Sequence, residues 1–250
     1  MRYFLTLAYR GARYAGWQRQ PNAPSVQETL ETALSTILQQ PAALTGCGRT
    51  DTGVHARQYV AHLDITRELP AAFLQGLNSI LPDDIAVFSA VPMPATAHAR
   101  FDALERSYEY RITLIKDPFE AETAWFYPQG RLLDTGRMAE VAAILLQYQA
   151  FLPFCKTGSD VGNYHCTLKQ AQWLTDAAGR LLTFQITANR FLRGMVRLIV
   201  GASVLAGRGQ LDPGEVEAAL KAQVPLKKNL SVPPQGLALT AVIYPYAIVS

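Results

Sequence analysis

The sequence predicts an α+β fold in two halves, on three observations. Short segments alternate apolar and polar residues with period two, most clearly at 3–9 and 107–115. Between them run segments whose apolar residues recur at helical spacing behind a capping residue. A proline-rich run at 92–96 then divides residues 1–96 from 97–250, and each part interleaves strands with helices. With 250 residues, 49% of them hydrophobic, the chain is long enough to bury a sizeable core. It holds no run of eighteen apolar residues and opens directly into a strand pattern, which points to a cytoplasmic protein without a membrane span. Three unevenly spaced cysteines make no disulfide framework. Cys155, His165 and Cys166 lack a paired C-x-x-C, so no metal is expected.

Taken in order, residues 3–9 predict a strand, followed by a loop mixing glycine, aromatics and arginine from Arg10 to Gln20. Trp17 there is read as a buried plug in preference to a base-stacking platform, because large aromatics are mostly buried. Ser25 with Glu28 forms a capping-box pattern ahead of Val26, Leu30, Ala33, Leu34, Ile37 and Leu38, an amphipathic helix running up to Pro41. Residues 59–65 predict a strand, 69–81 a helix stopped by Pro82, and 85–91 a short strand. Beyond the proline run, 107–115 places Tyr108, Tyr110, Ile112 and Leu114 on one strand face. Asp134 caps a helix to about 149, and 151–167 is irregular. The segments 168–176 and 180–189 predict a strand pair. Asp212, Pro213 and Glu215 start a last helix before a final strand reaching Tyr244.

Two passages concentrate chemistry. The first, residues 45–56, packs Gly46, Gly48 and Gly53 around Arg49, Asp51 and His55, with glycines able to adopt positive φ or admit close backbone approach. It follows a predicted helix and fits an active-site loop presenting Asp51, or a surface connection in which Asp51 makes an Asx-turn. Neither G-x-x-x-x-G-K-[ST] nor G-x-G-x-x-G is present, which sets aside phosphate-loop and dinucleotide sites. The second, residues 190–201, reads as a helix with Arg190, Arg193, Gly194, Arg197 and Gly201 on one face and Phe191, Met195, Leu198, Ile199 and Ala202 on the apolar stripe. The net charge of +3 does not by itself announce a polyanion binder. The arginines, however, gather beside these passages, and it is local potential that draws a polyanion.

The run G-R-T-D-x-G-V-H-A at 48–56 resembles the signature of the tRNA pseudouridine synthase A family. Further passages agree: the G-x-x-[FY]-x-G-W-Q-x-Q stretch at 11–20, Asn78 to Ile85, His98-Ala99-Arg100-Phe101, R-x-Y-x-Y at 106–110, F-x-x-G-M-V-R at 191–197, and P-x-x-G-L-x-L at 233–239. This resemblance implies two halves of the RNA-recognition (RRM) or ferredoxin-like type sharing a mostly antiparallel sheet flanked by helices, with a central cleft. It further implies Asp51 as nucleophile, Arg197 as its ion-pair partner, Tyr108 as the residue stacking on the base, and Arg49 as the residue that displaces it. His98, Arg100, Phe101, Arg190, Arg193 and Leu237 are expected to bind the substrate, while His55 is expected to brace the loop. Gly194 stands where the family has Asn, which predicts a lost side-chain hydrogen bond, and Ala97 stands where it has Phe. The implied reaction turns uridine into pseudouridine at positions 38, 39 and 40 of the tRNA anticodon stem-loop, in a homodimer that needs no cofactor. A synthase for another RNA, or an RNA-binding protein without catalysis, are the alternatives.

Overall fold

The computed structural model describes residues 1–156, 158 and 162–248. They form two compact units, Met1–Glu105 with Ala238–Ser250, and Arg106–Leu237. The sequence division at 96/97 differs from this because residues 97–105 are tied to the first unit. Arg2 donates to the carbonyls of Ala95 and Ala97 at 2.8 and 2.6 Å, and the Ala99 amide donates to His62 Nδ1 at 3.1 Å. Tyr246 donates to Asp102 at 2.8 Å from beyond the second unit.

In the first unit, β1 (Arg2–Tyr9) lies between β4 (Ile85–Met93) and β3 (His55–Asp64), antiparallel to both. The short β2 (Leu44–Gly46) pairs antiparallel with β3, and β9 (Leu237–Ile243) joins the other side of β3 in parallel through His55 and Ala56. Tyr3, Phe4, Leu5, Leu7 and Tyr9 are all buried, so β1 is covered on both faces. Helix α1 (Val26–Leu38) buries Val26, Leu30, Ala33, Leu34 and Leu38, the spacing the sequence predicts, and packs on α2 (Phe73–Ile80). Only half of the expected capping box forms: the Glu28 amide donates to Ser25 Oγ, while the Glu28 carboxylate pairs with Arg19 at 3.4 Å. Helix α2 starts at Phe73, four residues later than its pattern suggests.

In the second unit, β8 (Leu181–Ala188) is antiparallel to both β5 (Glu105–Thr113) and β7 (Leu168–Thr175), and the two-residue β6 (Trp125–Phe126) pairs with β5 in parallel. Helix α3 (Thr135–Leu145) packs against β7, α4 (Met195–Gly207) and α5 (Pro213–Ala222). Asp134 caps α3 through the Arg137 amide, and Asp212 with Glu215 completes a full capping box on α5. The architecture is α+β with mostly antiparallel pairing, as the sequence predicts. Among the described residues no helix is long and apolar enough to cross a membrane.

Candidate active site

The Asp51 loop is a hairpin connection. Leu44–Gly46 forms β2, paired with Leu63, His62 and Ala61 of β3, so a strand rather than a helix leads into the loop. Three residues of mixed polarity carry no readable period, which is why the sequence hides this strand. The glycines act differently from one another. Gly53 uses its freedom, at φ 76°, and Gly46 uses its missing side chain, since a Cβ there would lie 2.0 Å from the Tyr59 hydroxyl and 2.7 Å from Trp17 Nε1. Gly48 does neither, and a Cβ on it would meet nothing within 4 Å.

Residues on either side of Asp51 are held by the buried aromatic cluster beneath. Tyr9 and the buried Thr50 hydroxyl share a hydrogen bond at 2.9 Å, and the Trp17 amide donates to the Thr50 carbonyl at 3.3 Å. Tyr59 donates to the Gly48 carbonyl at 2.6 Å, and its ring stacks on Trp17 at 4.0 Å. Trp17 is 3% exposed, so it is the plug the sequence predicts. Beyond the acid, the Val54 amide donates to the Asp51 carbonyl at 3.1 Å and the Gly53 amide to the Tyr14 carbonyl at 3.2 Å. His55 is buried and its Nδ1 accepts the Gly11 amide at 2.9 Å, which makes it a brace. The result is a rigid arch whose crest carries a half-buried Asp51 and an exposed Arg49.

This arch rests on an ion pair that sequence reasoning missed. Asp84 is buried, and its carboxylate accepts Arg13 Nε at 2.6 Å and the Tyr14 hydroxyl at 2.7 Å. Burial pushes its carboxyl up, but those two hydrogen bonds and the Arg13 charge win and hold it below the usual carboxylate range. Burial, with the Asp84 hydrogen bond, pushes the Tyr14 phenol up. Asp84 therefore fixes Tyr14, and Tyr14 fixes Gly53. The only signal in the sequence was its place in the Asn78–Ile85 passage.

Also in the first unit, His98 accepts the Arg100 and Phe101 amides on Nδ1 at 3.1 and 3.3 Å, while its own amide donates to Asp102 at 2.7 Å. That turn lifts Phe101 to 74% exposure, with the Arg100 guanidinium 5.7 Å over its ring. Ala97 is buried and contributes its carbonyl to Arg2, a main-chain role that the exchange from Phe leaves intact.

The second unit carries the remaining residues. Tyr108 is half-buried on β5, edge-on to Phe191 at 5.2 Å. Tyr110, two residues along, is fully buried and donates to the Pro233 carbonyl at 2.7 Å. Helix α4 begins only at Met195, so Arg190 and Arg193 lie on the loop ahead of it and do not share a helical face with Arg197. The cause is Gly194, which takes φ 71° and ψ 0°, a left-handed conformation that stops the helix extending backward. Asn is among the few other residues that tolerate this region, so the exchange of Asn for Gly preserves a backbone conformation, and no lost side-chain bond is needed to explain it.

Arg190 Nη1 donates to Asn163 Oδ1 at 3.2 Å, Arg193 is exposed, and its carbonyl accepts the Lys156 amide at 3.0 Å. Arg197 directs Nε and Nη2 at the Val232 carbonyl, at 2.8 and 2.6 Å. Leu237 is buried at the start of β9. Among the described residues no cysteine forms a disulfide, and burial pushes the Cys166 thiol up to about 11. Among the described residues no group of three or more His, Cys, Asp or Glu could hold a metal ion.

Comparison with known proteins identifies the family. A family model described as tRNA pseudouridine synthase matches residues 6–102 and 143–245. The tRNA pseudouridine synthase A of Porphyromonas gingivalis is 45% identical over 248 residues, covering 98% of this chain and 97% of that protein. Its counterparts from Parabacteroides distasonis and Bacteroides fragilis are 42% and 41% identical, covering 98% and 99% of this chain and 96% and 98% of their own. A solved structure titled as an unknown protein from Galdieria sulphuraria matches 75% of this chain and 80% of its own at 13% identity and a TM-score of 0.23, too low a likeness to carry any argument. The family model and these relatives define an RNA-modifying isomerase. Within that class, the chain belongs to the tRNA pseudouridine synthase family.

Proposed function

We propose that this chain converts uridine to pseudouridine in the tRNA anticodon stem-loop, at positions 38, 39 and 40, with Asp51 as the nucleophile. The reaction breaks the C–N bond between base and sugar, turns the uracil, and joins its C5 to the same sugar carbon. The C5 proton leaves, N1 gains one, and no net oxidation occurs. A carboxylate suits the first step because it can add either to the ring or to the sugar carbon. The observation that carries this reading is the arch: Thr50 and Gly53 are pinned on both sides of Asp51 while its side chain stays half-exposed, in a chain of this family. Such pre-organisation is what a nucleophile needs, since a group already in place loses little entropy at the moment of reaction.

The other roles follow from chemistry and resemblance. Arg197 pairs with the nucleophile, Tyr108 holds the detached uracil by its face, and Arg49 fills the space the uridine leaves on being turned out. Exposed Phe101 with Arg100 offers a stacking surface for a base, and Arg190 and Arg193 offer charge for phosphates. The resemblance also implies a homodimer in the cytoplasm. The test is release of tritium from C5-labelled uridine in tRNA. Wild type should release it, and Asp51→Asn should still bind tRNA while losing at least about 10³-fold in rate. Full activity of Asp51→Asn would remove the acid from its role, and mapping the modified uridines decides the target positions.

A further inference from the structure

We propose that the segment Leu230–Gly236 is a strut that sets the position of the Arg197 guanidinium, with Gly201 and Tyr110 as positioning residues. The inference rests on the reading that Arg197 acts on the nucleophile, and adds what places it.

Gly201 follows Arg197 by one helical turn on the same face of α4. A Cβ on Gly201 would lie 1.8 Å from the Leu230 carbonyl oxygen, 2.6 Å from its carbon and 2.9 Å from its Cα. The main chain of the segment thus lies directly on the helix, an approach only glycine permits. Two residues further on, Val232 reaches Arg197, and its carbonyl accepts both Nε and Nη2. Ser231 Oγ adds a longer contact to Nη2 at 3.4 Å. The next carbonyl, of Pro233, accepts the hydroxyl of buried Tyr110 at 2.7 Å. Gly236 closes the strut against the same ring, where a Cβ would meet Tyr110 Cζ at 2.7 Å.

Consecutive carbonyls therefore serve Arg197 of α4 and Tyr110 of β5, the strand that carries Tyr108. Val232 occupies the Nε/Nη2 edge of the guanidinium, so the planar group is fixed with its Nη1/Nη2 edge as the one to meet a carboxylate, the fork geometry that favours two parallel bonds. A lysine could not be held in this way, because it presents a single rotating head.

The experiment compares wild type, Gly201→Ala, Tyr110→Phe and Arg197→Lys, with each of the first two also combined with Arg197→Lys, by single-turnover pseudouridine formation and by tRNA affinity. Gly201→Ala should lower the rate about tenfold or more, and Tyr110→Phe several-fold, with the tRNA Kd within about twofold of wild type, because sub-ångström misplacement acts on the chemical step. In the Arg197→Lys background both effects should vanish. Tyr110→Phe keeps the ring and the packing, so the test survives if Gly201→Ala does not fold. The strut is overturned if both variants turn over at the wild-type rate, if they lose only tRNA affinity, or if they cost the same factor in the Arg197→Lys background. An Arg197→Lys variant as fast as wild type would instead refute the role of Arg197 itself and take the strut with it.

Discussion

At the scale of single residues, buried titratable groups tie stability to pH. His62 is buried, its Nδ1 accepts the Ala99 amide, and its pKa is lowered from 6.5 to about 4, by burial first and then by the charges of Arg2 and His98. Asp64 and Asp102 face it too and pull the other way. With a depressed folded-state pKa, the unfolded chain binds the extra proton between pH 6.5 and 4. Its contribution is complete above about 6.5 and is lost as pH falls toward 4. The loss is on the order of 2–3 kcal/mol at the bottom of that window. Urea midpoints measured at pH 7 and pH 4.5 should therefore fall for wild type and change much less for His62→Gln, which is permanently neutral. An equal fall in both would show that the acid sensitivity lies elsewhere.

At the scale of elements, the start of α4 shows how one backbone angle shapes a functional segment. Because Gly194 takes φ 71°, the arginines ahead of it leave the helix axis and occupy a loop tied to Lys156. Gly194→Ala should cost about 1 kcal/mol in thermal or urea unfolding, whereas Gly194→Asn should cost less than half of that, since Asn tolerates the left-handed region. A Cβ at this position meets only Lys156 Cβ at 3.5 Å, so sterics do not separate the two variants. Equal costs for Ala and Asn would mean that the dihedral angle is not what selects the residue. The same reasoning explains the Asp51 loop, where buried Tyr9, Trp17 and Tyr59 turn a glycine-rich stretch into a stiff arch.

At the scale of the whole molecule, a formal charge of only +3 hides arginines placed where they matter. Arg193 is exposed, and Arg190 is held by Asn163 at 3.2 Å. Arg190→Ala and Arg193→Ala should weaken tRNA binding and flatten the plot of log K against log salt by roughly 0.7–0.9 for each phosphate that is no longer neutralised, leaving the single-turnover rate at saturating tRNA largely intact. Unchanged slopes would return both to an ordinary solvated surface.

Much of this protein follows from local pattern. Period two located β1 and β5, helical spacing located α1 and α3, and Ser25, Asp134 and Asp212 marked helix starts, because such signals are written by burial on one face and by unpaired amides at helix ends. The acid-bearing loop stood out by its clustered glycines, and the roles expected of Asp51 and Arg49 came from the family resemblance. Tertiary structure alone decided what holds them: Asp84 meets Tyr14 across 70 residues, Thr50 meets Tyr9 across 41, and Arg197 meets Val232 across 35. Pairings of that range leave no period in the chain, since they depend on which surfaces the packed sheet brings together. The three-residue β2 and the left-handed turn at Gly194 escaped notice for a related reason, one being stabilised by its partner strand and the other by a dihedral angle that a glycine permits but does not announce.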